Sequence, residues 1–216
     1  MIKLLLSALC VLSVLICSAQ SKCSCDKTPW LKDVVSCEPT LLTNKSKLYF
    51  QFNCDSVWLV LENVKKKKLI ISSLQSDLAQ YNFRIGYQLI KEFKNSLLFR
   101  YGCPANGSCD HILINKYTGK KIKAFHEFLY NIDYKNIDFV LYFSNEKLNQ
   151  LTLYYPNTGK EYHIPVTASD FNAIVPEYQF YRSTLTKEKL TIFYSTGTKQ
   201  QPRKKSVEID LIKNPK

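Results

Sequence analysis

Side chains suited to catalysis or metal binding are scarce in this chain of 216 residues. The three histidines are His111, His126 and His163, and no two of them have the spacing of a His-x-His or His-x3-His metal pair. The Gly-x-Ser-x-Gly sequence of many serine hydrolases is absent, and so is a glycine-rich phosphate loop. We therefore predict no catalytic residues, no metal and no cofactor, and we expect that the protein is not an enzyme.

Carboxylate pairs are the one catalytic arrangement that the sequence leaves open. Hydrolysis of a glycosidic bond needs two carboxyl groups that face each other across a cleft. The acidic residues that could converge in this way are Asp133, Asp138, Glu146 and Glu161. No local pattern separates them from ordinary solvated carboxylates, so a hydrolase with dispersed carboxylates is an alternative hypothesis.

Cysteine is the residue type that says most about the chain. Of eight cysteines, two lie within residues 1–19 and six lie beyond them. An even number in an exported chain predicts up to three disulfides. We predict a Cys103–Cys109 pair because only turn-forming residues separate the two, and a Cys37–Cys54 pair because it would tie the N-terminal segment to the first strong strand. A zinc site is disfavoured because no Cys-x2-Cys pair exists.

The N-terminus has the pattern of a secretory signal peptide. Lys3 supplies the positive start, residues 4–16 are apolar, and a small-residue cleavage signal ends at Ala19. We therefore predict a signal peptide over residues 1–19 and a single β-rich domain over residues 20–216. We expect export to the periplasm or the medium of a bacterium. No later apolar run approaches the length of a membrane span, so we expect no stable membrane insertion.

Short hairpins recur along the domain. Gly119 and Gly159 each follow a threonine, precede a lysine and separate two runs of strand-forming residues, and glycine permits the positive φ that tight hairpin turns need. Two looser copies lack this tripeptide. The four predicted hairpins cover residues 58–70, 111–122, 151–164 and 190–199. The alternation and the turns predict an all-β fold built from antiparallel hairpins and tied by disulfides.

The spacing of these hairpins resembles that of propeller blades. Gly119 and Gly159 are 40 residues apart, which is close to the length of one four-stranded blade, and the last two strands of a blade often carry a turn of this kind. The resemblance implies a propeller-like fold. The alternative is a β-sandwich in which similar turns recur by chance.

The formal charge of +12 suggests an anionic partner. We expect no nucleic acid, because 26 of the 30 basic residues are lysine and only four are arginine, the residue preferred for reading bases and phosphates. The densest run, residues 65–68, is interpreted as a solvated hairpin turn. Tyrosines are a second candidate feature, because tyrosine is common both at interfaces and in strands. The candidates singled out in the second half are Tyr130, Tyr134, Tyr154, Tyr155, Tyr178 and Tyr181.

Three functions therefore compete. The first is an exported, non-enzymatic binding module that recognises a protein or a cell-surface glycan. The second is a periplasmic inhibitor or immunity protein directed against a toxin or a lytic enzyme. The third is the hydrolase described above. The sequence leaves the ligand and the oligomeric state open.

Overall fold

The computed structural model describes residues 23–125, 137–197 and 201–212. The predicted signal peptide, residues 1–19, lies outside the described residues. So do His126, Tyr130, Asp133 and Tyr134.

Strands are the main elements of the described residues, and they form four antiparallel sheets. Sheet 1 contains β1 (Thr40–Leu41), β2 (Lys47–Phe52), β3 (Ser56–Glu62) and β4 (Lys68–Gln75). Sheet 2 contains β5 (Gln88–Glu92), β6 (Ser96–Tyr101), β7 (Asp110–Asn115) and β8 (Lys121–Phe125). Sheet 3 contains β9 (Val140–Phe143), β10 (Gln150–Tyr154) and β11 (Glu161–Pro165). Sheet 4 contains β12 (Phe180–Leu185), β13 (Lys189–Gly197) and β14 (Pro202–Asp210). The predicted all-β class is confirmed.

Helices are short. The α-helices are α1 (Leu31–Val34) and α2 (Asn82–Ile85). The 3₁₀ turns are Ser76–Tyr81, Ala168–Asp170 and Pro176–Gln179. In the described part of the chain, no helix is long and apolar enough to cross a membrane.

Each sheet is a meander whose neighbouring strands are also consecutive in sequence. Three of the four predicted hairpins are the last two strands of sheets 1, 2 and 3: β3–β4, β7–β8 and β10–β11. The fourth, residues 190–199, covers most of β13, which pairs with β14, and its residues 198 and 199 lie outside the described residues. Gly119 and Gly159 have φ values of 68° and 72°, and each N–H donates to the carbonyl four residues earlier at 2.8 Å. In the first hairpin Lys66 takes the positive φ instead, at 61°.

Successive sheets share hydrophobic cores. Side chains alternate between the two faces of a strand, so Leu97 and Phe99 of β6 pack towards sheet 1 while Leu98 packs towards sheet 3. The core between sheets 3 and 4 is built in the same way, with Leu153 and Ile192 fully buried in it. The inner strands of sheets 2 and 3 are therefore buried on both faces, and the packing order follows the chain.

A buried lysine joins sheets 1 and 2. The Lys116 side chain is 0% exposed, and its ammonium forms an ion pair with Glu92. It also donates to Thr43 Oγ1 at 2.9 Å and to the Phe93 carbonyl at 3.2 Å. Burial opposes ionisation of Glu92, but the hydrogen bonds from Lys116 and Thr43 outweigh burial and hold its pKa below the usual range.

Three disulfides join the cysteines of the described residues, and one predicted pairing is wrong. Cys103 pairs with Cys109 as predicted, but Cys37 pairs with Cys23, and Cys54 pairs with Cys25. The reason is that the N-terminal segment runs parallel to the end of β2, with Cys23 bridged to Phe52. This register places Cys25, two residues after Cys23, next to Cys54, two residues after Phe52. The three disulfides are consistent with an oxidising compartment.

Candidate functional site

A cleft of about 840 Å³ lies between two loop regions that are far apart in sequence. One wall is formed by Phe83 and Arg84 of α2, by Arg100 of β6 and by loop residues 103–109. The other wall is formed by residues 172–175 and Tyr178. We call this space the arginine cleft.

The first wall is fixed by short-range contacts between α2 and the disulfide loop. The Cys103 N–H donates to the Arg84 carbonyl at 2.9 Å, and Arg84 Nη2 donates to the Cys103 carbonyl at 3.4 Å. The Gly102 N–H donates to the Ile85 carbonyl at 3.3 Å. The Cys103–Cys109 disulfide then closes the loop. Both the backbone and the side chain of Arg84 therefore hold this wall in place.

The second wall is held by one glutamine. Gln179 Nε2 donates to the Asp170 carbonyl at 2.6 Å and to the Ser195 carbonyl at 2.8 Å, and its Oε1 accepts from the Ala173 N–H at 3.0 Å. Asp170 is itself buried, and it accepts from Tyr194 at 3.1 Å and from Lys205 at 2.7 Å. Burial, followed by the hydrogen bond to Asp170, raises the pKa of Tyr194 to about 12. The wall is thus anchored to sheet 4.

Large apolar side chains stand out at the rim of the cleft. Phe83 is 62% exposed, and Ile174 and Tyr178 are each 80% exposed. Exposed apolar groups that cluster around a concave surface are typical of interaction sites. Both walls contribute to this apolar rim.

The cleft is also positively charged. It contains two of the four arginines of the chain, Arg84 and Arg100. The Nε of Arg100 is buried without a hydrogen-bond partner among the described residues. Burial raises the pKa of the nearby Glu177, and the charge on Arg100 partly offsets that rise.

A neutral histidine lies behind Arg100. His111 is its cross-strand neighbour in β7, is buried, and its Nδ1 lies 3.1 Å from the Cys109 carbonyl. Burial lowers its pKa to about 4, the hydrogen bond to Cys109 opposes this change, and the charge on Arg100 adds to it. The cationic groups of the cleft are therefore the arginines.

The other side chains singled out from the sequence lie elsewhere. His163 is in β11 and has its Nδ1 2.9 Å from Thr152 Oγ1. Glu161 begins β11 and pairs with Lys123, whereas Glu146 lies in the turn at the opposite end of β10. Asp138 lines a separate cavity of about 570 Å³. Within the described ranges, no group of three or more His, Cys, Asp or Glu side chains could hold a metal ion.

The predicted disulfide residues are divided between two regions. Cys103 and Cys109 line the arginine cleft, while Cys37 and Cys54 fasten the N-terminal segment to the end of sheet 1. Of the tyrosines, Tyr154 and Tyr155 are buried in cores and Tyr178 is on the cleft rim. The run at residues 65–68 is exposed at the β3–β4 turn, as predicted.

Sequence reasoning missed Phe83, Arg84, Arg100 and Ile174. The only usable signals were the rarity of arginine among the basic residues and the break in the strand pattern near residues 168–176. No protein-family model matches the chain, and no curated protein is significantly similar to it in sequence. The chemistry of the cleft, two guanidinium groups beside an apolar rim, is suited to binding.

Proposed function

We propose that the protein is an exported binding module that recognises a protein or glycan partner through the arginine cleft and performs no catalysis. The observation that carries this proposal is the exposure of Phe83, Ile174 and Tyr178 at the rim of a cleft whose two walls are braced. Burying one such side chain against a partner contributes about 1.5–3 kcal/mol. Braced loops lose little conformational freedom on binding, so more of that energy remains as affinity.

We also propose that the four sheets are arranged as a propeller-like array of four blades. Its support is that each sheet is a meander, that the chain passes from the last strand of one sheet to the first strand of the next, and that successive sheets share cores. Small-angle X-ray scattering checks it. A profile that matches four sheets packed in series agrees with the array, and a profile that matches a two-layer sandwich contradicts it.

Export is proposed on the signal-peptide pattern of residues 1–19 and on the three disulfides. The intact mass of protein recovered from the periplasm or the medium checks both features. We expect a chain that begins at Gln20 and lacks six thiol hydrogens. A full-length or fully reduced chain would contradict the proposal.

Affinity capture tests the binding function. The wild-type protein is immobilised with its disulfides intact, and envelope extract of the source cells is passed over it at low and high salt. The cleft variant carries Ile174→Asp and Tyr178→Asp. The matched control is Tyr117→Asp, at a tyrosine 44% exposed on the β7–β8 turn.

We expect a partner that is retained at high salt by the wild type and by the control but is lost with the cleft variant. High salt screens the diffuse lysine charge, so retention there requires a specific contact. Retention that is unchanged in the cleft variant would contradict the proposal.

A second candidate is an inhibitor or immunity protein against a toxin or lytic enzyme. The observation that favours it is the loop carrying Ile174 and Tyr178, which presents two large side chains to solvent from an anchored backbone. Inhibition assays against the lytic enzymes of the same envelope check it. Stoichiometric inhibition that Ile174→Asp abolishes would select this candidate over a general binding module.

A further inference from the structure

We infer that the arginine cleft binds an acidic peptide segment of a protein partner, in which a carboxylate lies next to an apolar side chain. This inference rests on the proposed binding function and names the class of partner. The structure contributes three observations: the placement of arginine, the absence of acidic groups among the described lining residues, and the aliphatic character of the walls.

The placement of arginine points to a carboxylate. The basic residues of this chain are mostly lysine, yet the described residues that line the cleft include Arg84 and Arg100 and no lysine. Arginine presents a planar fork of N–H donors that matches a carboxylate with two parallel hydrogen bonds. The buried Nε of Arg100 has no partner among the described residues. A buried donor without an acceptor is costly, and a nearby anion would stabilise the charge of this incompletely hydrogen-bonded guanidinium group.

The electrostatic balance of the cleft favours an anion. None of the described side chains that line it is acidic. Glu177 lies next to Tyr178 in sequence, and burial raises the pKa of its carboxyl group. Glu177 adds at most one negative charge against two guanidinium groups, and the whole chain is positive at +12. Both the local and the overall charge would therefore attract an acidic segment.

The apolar lining favours a peptide over an acidic glycan. The walls contain the aliphatic side chains of Ala105, Ala173, Ile174 and Val175. Sugars expose many hydroxyl groups and need a matching set of hydrogen-bond partners, whereas aliphatic side chains of a peptide are buried without them. The cleft volume of about 840 Å³ is within the range of roughly 300–1,000 Å³ typical of small-ligand sites, which suits a short extended segment.

A random hexapeptide display library tests the inference with the full, oxidised protein as target. Peptides enriched on the wild type are synthesised in two forms, one with their Asp and Glu residues and one with Asn and Gln in their place. Affinities are measured for the wild type, for Arg84→Gln, for Arg100→Gln and for the control Arg203→Gln, an exposed arginine of β14. Two cleft variants are included so that a folding defect in one of them does not decide the result.

We expect the enriched peptides to pair Asp or Glu with Leu, Ile or Phe. We expect the acidic form to bind at least about tenfold more tightly than its amide form, with that preference lost in a folded cleft variant and kept in Arg203→Gln. Nuclear magnetic resonance should place the acidic peptide on residues 103–109 and 172–175.

Three results would overturn the inference. The first is equal affinity of the protein for the acidic and amide forms of a peptide. The second is enrichment of peptides that contain no acidic residue. The third is that no peptide is enriched while the protein binds anionic oligosaccharides on an array. In each case the proposed function is judged separately by the capture experiment. If the variant with Ile174→Asp and Tyr178→Asp loses the captured partner, the proposed binding function is supported even when the inference of an acidic peptide ligand is overturned.

Discussion

Lys116 shows how a single side chain can connect two sheets. Its ammonium is fully buried and donates hydrogen bonds to Glu92, Thr43 and the Phe93 carbonyl. Lys116 itself directly follows β7 in the chain. A buried cation is stable only when its partners surround it, because its removal from water is costly. The turn after β1 and the ends of β5 and β7 are therefore held together by this one group.

Replacing Lys116 with methionine should lower the free energy of unfolding by roughly 2–4 kcal/mol, because the Glu92 carboxylate is left without its counter-charge. Urea denaturation at neutral pH measures the effect. The control is Lys189→Met, which breaks the exposed pair with Glu208 and should change stability little. Equal effects of the two substitutions would contradict this role of Lys116.

His111 should make stability fall on acidification. Its pKa is about 4 in the folded protein against 6.5 when unperturbed, so the unfolded chain binds more protons between these values. The stabilisation is fully present above pH 6.5 and is lost as the pH falls towards 4. The shift corresponds to roughly 3 kcal/mol.

Urea denaturation between pH 7 and pH 4 should therefore show a steeper loss of stability for the wild type than for His111→Gln. His163→Gln is the matched control for the loss of a histidine, because His163 is exposed in β11. A pH dependence that is the same in His111→Gln and in the wild type would show that His111 is not the group responsible.

Residue identity alone could predict some of these features. Cysteine number predicted the disulfides, and the short, turn-rich spacing of Cys103 and Cys109 predicted their pairing. The partners of Cys37 and Cys54 depend on where the N-terminal segment lies against β2, and no local pattern encodes that position. The role of Arg100 was equally hidden, because it depends on a loop more than 70 residues later in the chain.

At the scale of elements, two equivalent glycines allow a matched comparison of the hairpin turns. Gly119 and Gly159 have nearly the same positive φ. A Cβ at Gly159 would meet nothing within 4 Å, whereas one at Gly119 would lie 3.3 Å from Leu69 Cβ and 3.4 Å from Ile71 Cγ2. The β7–β8 turn therefore packs against β4 of sheet 1, while the β10–β11 turn is open.

Gly159→Ala should cost about 1 kcal/mol of unfolding free energy, since an alanine in the left-handed region is strained. Gly119→Ala should cost about 2 kcal/mol, because the crowded Cβ adds to the same strain. Thermal denaturation of both variants measures the difference. A smaller loss for Gly119→Ala than for Gly159→Ala would contradict the packing of this turn on β4.

The hairpins were predictable because their signals are local. Glycine at the turn and alternating side chains on either side are contained within about a dozen residues. The arginine cleft was not predictable in this way, because its walls come from α2, the disulfide loop and residues 172–178. These segments meet only through the packing of sheets that are separated in the chain.

At the scale of the whole molecule, shared cores should make the four sheets unfold together. Both tryptophans are near the N-terminus, Trp30 beside α1 and Trp58 in β3, so tryptophan fluorescence reports on sheet 1. Leu153→Ala removes a fully buried side chain from the core between sheets 3 and 4. It should cost about 2–5 kcal/mol and shift the fluorescence midpoint as much as the circular dichroism midpoint. A fluorescence transition that does not move would show that sheet 1 unfolds independently.

The number of sheets was the part of the architecture that local patterns could not determine. Alternation and turn residues predict strands and hairpins, but the assignment of strands to layers depends on which faces are buried. β6 illustrates the point, because its two faces belong to two different cores. A strand that is apolar on both faces is equally consistent with a sandwich interior and with a sheet between two others.

The central claim is that the arginine cleft is the surface that contacts a partner, and site-specific photo-crosslinking tests it most directly. The photoreactive amino acid p-benzoylphenylalanine replaces Tyr178 on the cleft rim or, as the control, Tyr117 on the β7–β8 turn, in cells that express the protein. We predict a discrete protein adduct on irradiation when the probe is at position 178 and none when it is at 117. No adduct at 178, or the same adducts from both positions, would contradict the claim.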